Sequence, residues 1–512
     1  MLNKILRFLF SRVVIVSVSL LTQLALLLIM LLYFEQYFQY FYIFCLLLSL
    51  VIAVSLISRQ GDPAYKIAWI IPLTVVPVFG AMLYLIFGGN RLPKRTRKKM
   101  ASISTRSASA LGDDDTIVEE IEAFDPTSAV QCRYIQKWAG YPVCKGTSVE
   151  YLSCGEKKFA RMLEELEKAE HYIFLEYFII QEGIMWDAIR EILVRKAAAG
   201  VDVRLIYDDV GCIMTLPSLY DYQLEKQGIK TARFSPFVPV LSSLLNNRDH
   251  RKICVIDGHT AFTGGINLAD EYINAYVKHG HWKDTAILLK GEAVWNLTVM
   301  FLTMWDYVRG EKADYAQFRP SRYQDEAVLD DGYVQPFADS PLDGEPVGVN
   351  VYLNLINKAT DYIYITTPYL ILSAEMVNAL TNAAKGGVDV RIITPHVPDK
   401  WYVHAVTRAN YRALVEQGVK IYEYTPGFIH AKSFVVDGKW GVVGTINLDY
   451  RSLYLHFECA TWMYRCRCLA DIREDFLATQ ALSSPVTLED CKKVPLLTRA
   501  FRAVLRLFAP LM

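Results

Sequence analysis

The sequence predicts an α/β protein: two sheet domains related by a pseudo-twofold, sharing one site and preceded by N-terminal transmembrane helices. Three observations carry this. The chain repeats itself in collinear segments, each repeat alternates β-branched strands with helical stretches, and the apolar excess lies ahead of the repeats.

The repeat is read directly. The stretch from Ala169 (AEHYIFLEYFI) matches that from Ala359 (ATDYIYITTPYL), and AGVDVRLIYD from Ala199 matches GGVDVRIITP from Gly386. QGIKTARFSP from Gln227 matches QGVKIYEYTP from Gln417. HRKICVIDG from His250 matches HAKSFVVDG from His430, and GGINLADEY from Gly264 matches GTINLDYRS from Gly444. Within each half a β-branched and aromatic run precedes a helical stretch such as MWDAIREILVRKAAAG, then a glycine and another strand. Such alternation predicts a mostly parallel sheet with helices on its faces. The halves differ between the matched prolines and histidines, where the first carries the longer segment Phe237 to Asp249 and the second only Gly427 to Ile429. The insertion includes FVPVLSSLLNN, either a packed loop or a lip that meets lipid.

The chain is 53% hydrophobic, high for a soluble protein, and its 54 Lys and Arg balance 54 Asp and Glu. Three apolar runs lie near the front: Val13 to Tyr33, Phe38 to Ile57, and Ile67 to Phe87. Each approaches the ~20 residues that cross a bilayer as a helix. Pro72, Pro77 and Gly80 predict a kink in the third. Arg91, Lys94, Arg95, Arg97, Lys98 and Lys99 then mark a cytoplasmic segment and place the main body there. Lys4, Arg7 and Arg12 favour the same side for the N-terminus, which three full spans cannot satisfy, so the number of spans stays open. On this reading residues 1–90 form a membrane anchor with two or three transmembrane helices and 91–130 a basic linker. Residues 131–325 and 326–490 form the two repeated domains, and 491–512 a basic amphipathic tail. In that tail Phe501, Val504, Leu505 and Phe508 share a helical face beside Arg502 and Arg506, suited to an anionic surface or to packing on the protein. The ten cysteines include no CxxC pair and no cluster with zinc spacing, so reduced thiols and no metal are expected.

The chemistry lies in the repeated His-x-Lys-x4-Asp. Side chains alternate faces along a strand, so His250 points with Lys252 and His430 with Lys432. A neutral imidazole attacks phosphorus or moves a proton near neutral pH, and an ammonium balances charge on a phosphoryl oxygen. Two such pairs supply a nucleophile, an acid/base and two cations for a phosphodiester, with no cofactor. Asp257 and Asp437 complete the motif and count among the candidate catalytic residues, yet parity turns them to the other face. Each precedes a glycine, so strand-end and turn organisation is their expected contribution. A carboxylate is needed behind each histidine, and Asp284 and Glu458 follow the two motifs at similar spacing. Asn267 and Asn447 hold equivalent places, with amides able to donate to phosphate. Asn267, Asn447, Asp284 and Glu458 are therefore grouped as substrate-side residues.

The residues His250 to Asn267 and His430 to Asn447 resemble the HxKxxxxDxxxxxxG[GS]xN motif of the phospholipase D superfamily, with Thr445 where serine is common. Within it the chain is most similar to bacterial cardiolipin synthases, including the membrane segments with their basic stretch, NNRDHRK, WKDT and TTPYL. The resemblance implies conversion of two phosphatidylglycerols to cardiolipin and glycerol at the cytoplasmic membrane, with a phosphohistidine intermediate. By resemblance alone, His250 is the nucleophile and His430 the acid/base. A hydrolase releasing phosphatidic acid is the nearest alternative. A membrane-bound nuclease is disfavoured by the balanced charge, so lipid rather than nucleic acid is the expected partner. A catalytically dead scaffold is disfavoured by the intact His and Lys in both halves.

Overall fold

The structure, a computed structural model, describes residues 38–59, 63–88, 94–112, 114–237, 246–319, 330–342 and 344–511, with position 328 and isolated positions between 18 and 29. The run Val13 to Tyr33 apart from those positions, the charges at Lys4, Arg7, Arg12 and Arg91, and most of the FVPVLSSLLNN insertion lie outside the described residues.

Strands are numbered in chain order. The first half contributes β1 (Thr147–Leu152), β2 (Tyr172–Tyr177), β3 (Asp202–Asp208), β4 (Lys230–Phe234), β5 (Lys252–Ile256), β6 (Thr260–Gly264), β7 (His281–Lys283) and β8 (Ala286–Gly291). The second contributes β9 (Tyr333–Asp339), β10 (Tyr362–Thr366), β11 (Asp389–Pro395), β12 (Lys420–Tyr424), β13 (Gly427–Ile429), β14 (Ser433–Val436), β15 (Trp440–Gly444), β16 (Glu458–Tyr464) and β17 (Ser483–Val486). The first sheet runs β1-β8-β6-β5-β2-β3-β4 and the second β17-β12-β11-β10-β14-β15-β16-β9. Read outward from β2 and β10 the orders coincide, as the sequence repeat requires, apart from β17, which extends the second sheet beyond β12.

The sheets are mixed, not mostly parallel. Only β2, β3 and β4, and likewise β10, β11 and β12, run parallel. These strands are joined by helical crossovers such as Ile184–Ala198 and Ala374–Lys385. β5 and β6 join through a tight turn at Asp257-Gly258, and β14 and β15 through one at Asp437-Gly438, which forces antiparallel pairing. Both residues of each turn have positive φ, 49° and 66° in the first and 51° and 64° in the second, the geometry Asp-Gly favours.

One apolar cluster runs through both halves, from Phe174 and Ile253 to Phe434 and Trp462. The helix Val294–Arg309 lies within it, with Leu297, Phe301 and Trp305 fully buried. Each such side chain contributes about 1.5–3 kcal/mol, so the two sheets behave as one packed body.

The membrane-proximal part departs from expectation in two ways. Phe38–Ser58 is a helix long and apolar enough to cross a bilayer, the only one among the described residues. The third run, expected as one kinked span, is two short helices, Pro63–Val75 and Pro77–Phe87, that double back on each other. Trp69 packs edge-on against Tyr84 at 5.3 Å, and the Tyr65 hydroxyl donates to the Gly88 carbonyl at 3.2 Å, so the hairpin's two ends meet. Gly80 permits the fold-back, because a Cβ there would stand 2.2 Å from the Pro72 carbonyl oxygen. Pro77 starts the second helix at a position where no backbone N–H is needed.

The stretch 91–130, expected as a linker, contains the helices Lys94–Leu111 and Thr116–Phe124. They are bound to the body: Lys99 donates to the Tyr307 carbonyl at 2.6 Å and Arg106 pairs with Asp306 at 3.0 Å. Alanine- and serine-rich spacing lets the first helix lie close on Val294–Arg309, a contact that composition read as linker.

Candidate active site

His250 stands two residues ahead of β5, which Lys252 opens, and His430 follows β13, with Lys432 immediately ahead of β14. All four are buried: His250 is 7% exposed, His430 8%, and both lysines 1%. Lys252 Nζ reaches the His250 carbonyl, and Lys432 Nζ reaches His430 Nδ1.

The carboxylates arrive across the pseudo-twofold. His250 Nδ1 lies 2.9 Å from both Oε1 and Oε2 of Glu458, which belongs to the second half. His430 Nδ1 lies 2.7 Å from Oδ2 of Asp284, which belongs to the first. The backbone explains this. β13 leads into His430 and pairs in parallel with β7, which leads into Asp284. His430 N donates to the Lys283 carbonyl at 2.7 Å, fixing the register. On the other side His250 N donates to the Phe457 carbonyl at 2.9 Å, and Phe457 N to the Arg248 carbonyl at 2.8 Å. Each histidine is thus stitched to the chain segment bearing the other half's acid. Asp284 and Glu458, also grouped as substrate-side residues, sit behind the imidazoles on the Nδ1 edge, each at the other half's histidine rather than the one its own motif carries.

The two pairs differ electrostatically. Burial raises the Glu458 carboxyl, but the His250 charge and hydrogen bond outweigh it and hold Glu458 well below the usual range. Thr445 Oγ1 also donates to Glu458, and the Cys459 N–H donates to Thr445 at 3.0 Å. Burial pushes Asp284 up to about 7, opposed by the Lys432 ammonium and the Thr285 N–H. Where Thr445 stands in one half, Gly265 stands in the other, and a Cβ on Gly265 would lie 2.1 Å from Asp284 Oδ1. Burial lowers His250 to about 3 and His430 well below its ordinary value. Burial also lowers Lys252 to about 8 and Lys432 to about 7. The Lys252 ammonium donates to the His250 carbonyl at 2.5 Å, and Lys432 Nζ lies 2.8 Å from His430 Nδ1.

Asp257 and Asp437, counted as catalytic from the motif, are elsewhere. Asp257 accepts from the N–H groups of Glu170, His171 and Tyr172 at 2.7–2.8 Å. Asp437 accepts from those of Thr360, Asp361 and Tyr362 at 2.8–3.0 Å. Both anchor the chain entering the central strand rather than His250 or His430. Asn267 is likewise committed: its Oδ1 accepts from Ile179 N at 3.0 Å and its Nδ2 donates to the Tyr272 hydroxyl at 2.7 Å. Asn447 is freer, with its buried Oδ1 unpartnered.

Sequence reasoning missed His456. Its Nδ1 lies 3.7 Å from Glu458 Oε1 and its ring 5.7 Å from that of His250. Ligand atoms of His250, His456 and Glu458 lie within 4.8 Å of one another. These three residues are brought together by the fold, and the only signal was a histidine two residues before a candidate acid. Aromatic rings wall the histidines: Phe178 beside His250 at 5.1 Å, and Tyr272 and Trp282 beside His430 at 5.8 Å.

Comparison with known proteins places this geometry. Residues 162–305 and 352–479 match the family described as "Cardiolipin synthase, PLD-like domain", and residues 47–89 match "Phospholipase_D-nuclease N-terminal". An uncharacterized protein of Streptococcus mutans is 45% identical over 89% of this chain and 98% of its own length. A cardiolipin synthase of Geobacillus kaustophilus is 35% identical over 91% of this chain and 92% of its own. A phosphatidylserine synthase of Haemophilus influenzae shares the fold, with a TM-score of 0.57 at 16% identity over 75% of this chain and 100% of that one. With a repeated motif, two crossed His–carboxylate pairs and these relatives over nearly its whole length, the chain belongs to the phospholipase D-like cardiolipin synthase family.

Proposed function

We propose that this protein is a cardiolipin synthase that moves a phosphatidyl group from one phosphatidylglycerol to another, releasing glycerol. The observation that carries the reading is the pair of crossed His–carboxylate contacts within one buried site. The His250 Nε2 lone pair attacks phosphorus, the bond from phosphorus to the glycerol oxygen breaks, and His430 gives that oxygen its proton. A hydroxyl of the second lipid then attacks the phosphohistidine, His430 takes its proton, and the N–P bond breaks. Lys252 and Lys432 balance the phosphoryl oxygens.

The asymmetry of the pairs supports the assignment that symmetry in sequence left open. An ionised Glu458 accepting from His250 Nδ1 leaves Nε2 with its lone pair, as a nucleophile requires. Asp284, pushed up to about 7, lets the His430–Asp284 pair keep a shared proton near neutral pH, as an acid requires.

The anchor, two repeated domains and tail are proposed as functional divisions, with the body on the cytoplasmic side. Phe38–Ser58 crosses the membrane and the hairpin 63–87 dips in and returns, its ends at Arg59 and Gly88 facing the body. If Val13 to Tyr33 supplies a second crossing, both basic clusters reach the cytoplasm, which three full spans could not achieve. The tail helix Leu496–Leu507 supports membrane contact: Leu496, Leu497, Phe501 and Val504 are exposed beside Trp401, while Arg502 turns inward.

Purified protein in phosphatidylglycerol vesicles tests the reading. Cardiolipin and glycerol in equal amounts are expected, and phosphatidic acid without cardiolipin would refute it. Acid-labile label trapped on the peptide containing His430 instead of His250 would reverse the two roles.

A further inference from the structure

Between the membrane hairpin and the second half lies a cavity of about 910 Å³. Arg59 and Lys66 stand at its membrane end, where the crossing helix stops, and His456 lines it next to the catalytic pair. Its opposite wall carries Asp339, Ser340 and Ala374. The hairpin is held against this wall by Tyr65 stacked on Tyr450 at 5.9 Å with planes 3° apart. The cavity is large enough to admit a headgroup with its linking phosphate, and its mixed lining places Asp339, Ser340, Glu345 and Glu375 alongside Arg59 and Lys66. His456 Nε2 lacks a hydrogen-bond partner and Nδ1 stands 3.7 Å from Glu458 Oε1, although the side chain is only 11% exposed. A buried imidazole nitrogen left unsatisfied is costly unless something else meets it.

The second half-reaction demands a site of this kind. While the phosphatidyl group is held on one histidine, a second lipid must bring a hydroxyl to the same phosphorus. Its phosphate and its tails must stay outside the buried centre.

Resting on the synthase reading above, we propose that this cavity is the docking site of the acceptor lipid's phosphoglycerol headgroup. Arg59 and Lys66 face its phosphate at the membrane end, and His456 hydrogen-bonds a glycerol hydroxyl at the inner end. The acyl chains remain in the bilayer along Phe38–Ser58. His456 serves as a positioning residue, aiming the hydroxyl without taking its proton.

The test compares a lipid acceptor with a small soluble one in the same vesicles. Phosphatidylglycerol is supplied with radiolabelled glycerol, and cardiolipin and labelled phosphatidylglycerol are measured together. Glycerol exchange uses the same phosphohistidine but needs no lipid docking. Arg59→Gln with Lys66→Gln is expected to lower the cardiolipin-to-exchange ratio about tenfold, the effect of losing charge-assisted phosphate contacts. Ala374→Trp fills the cavity without touching either cation and is expected to lower the ratio likewise, which guards against a misfolded double variant. His456→Ala is expected to raise KM for lipid transfer, and His456→Gln, which keeps a donor and an acceptor, to restore it. Parallel loss of exchange and cardiolipin in all variants, or an unchanged ratio, would overturn the acceptor site. A wild-type protein that exchanges glycerol but makes no cardiolipin would instead overturn the synthase reading.

Discussion

Replacing Glu458 by Gln tests the crossed contact most directly. Glu458 belongs to the second half, yet its two oxygens each lie 2.9 Å from Nδ1 of His250 in the first. The substitution keeps shape and volume but removes the charge that orients the Nδ1–H. A hydrogen bond to a charged partner is worth about 1.5–3 kcal/mol, and each 1.36 kcal/mol is tenfold in rate. Loss of that bond alone lowers turnover by about ten- to a hundredfold. An amide N–H turned toward Nδ1 would favour the wrong tautomer and deepen the loss. Two assays apply. Cardiolipin formation in phosphatidylglycerol vesicles is followed by mass spectrometry, and the imidazole nitrogens are followed by NMR with labelled histidine. The variant is expected to shift the His250 nitrogens and leave those of His430 near their wild-type positions. Turnover above half of wild type, or a shift confined to His430, would show that the acids act within their own halves.

Other consequences follow from the same contacts. His250→Ala and His430→Ala should each abolish turnover while leaving expression and membrane association intact; full activity in either would refute a shared site. Gly265→Thr should cripple the enzyme, because its Cβ alone would stand 2.1 Å from Asp284 Oδ1 and drive that acid from His430; near-normal activity would mean that the Asp284 contact is dispensable. Asp257→Ala should leave three backbone N–H groups without their carboxylate and destabilise the fold by about 2–4 kcal/mol, read as a lower unfolding midpoint, with kcat of the folded fraction little changed. For pH, the ammonium forms of Lys252 and Lys432 are the working forms, and burial lowers them to about 8 and about 7. kcat/KM should therefore fall as pH rises through 7–8. Stability should move the other way, since in this window the unfolded lysines bind more protons than the folded ones, so the unfolding free energy gained from them grows with pH. A flat kcat/KM profile to about pH 10, near the ordinary lysine value, would refute the assignment. Chelation with EDTA should leave turnover within about twofold, because the two lysines supply the cations. Activity lost to EDTA and restored by a divalent ion would point to His250, His456 and Glu458 as ligands.

The sequence by itself determined the repeat, and with it two sheets of matching strand order. It determined the His–Lys faces, since strand parity is a local property of HRKICVID and HAKSFVVD. The same parity points Asp257 and Asp437 away from the histidines, and their carboxylates accept backbone N–H groups where the chain enters the central strand. Helical crossovers point to parallel strands, but the tight turns at Asp257 and Asp437 set the strands that follow them antiparallel. The third apolar run was overread because hydropathy reports length and composition; the fold-back depends on Pro77 and on Gly80 meeting Pro72. Only the tertiary structure decided which acid serves which histidine. That choice is made where β7 pairs with β13 and where Asp249 bridges to Phe457, contacts between residues far apart in the chain. A repeat in sequence specifies each half equally well whether its acid faces its own histidine or its neighbour's. The packing of one half on the other breaks that tie, and it also brings His456 beside the His250–Glu458 pair.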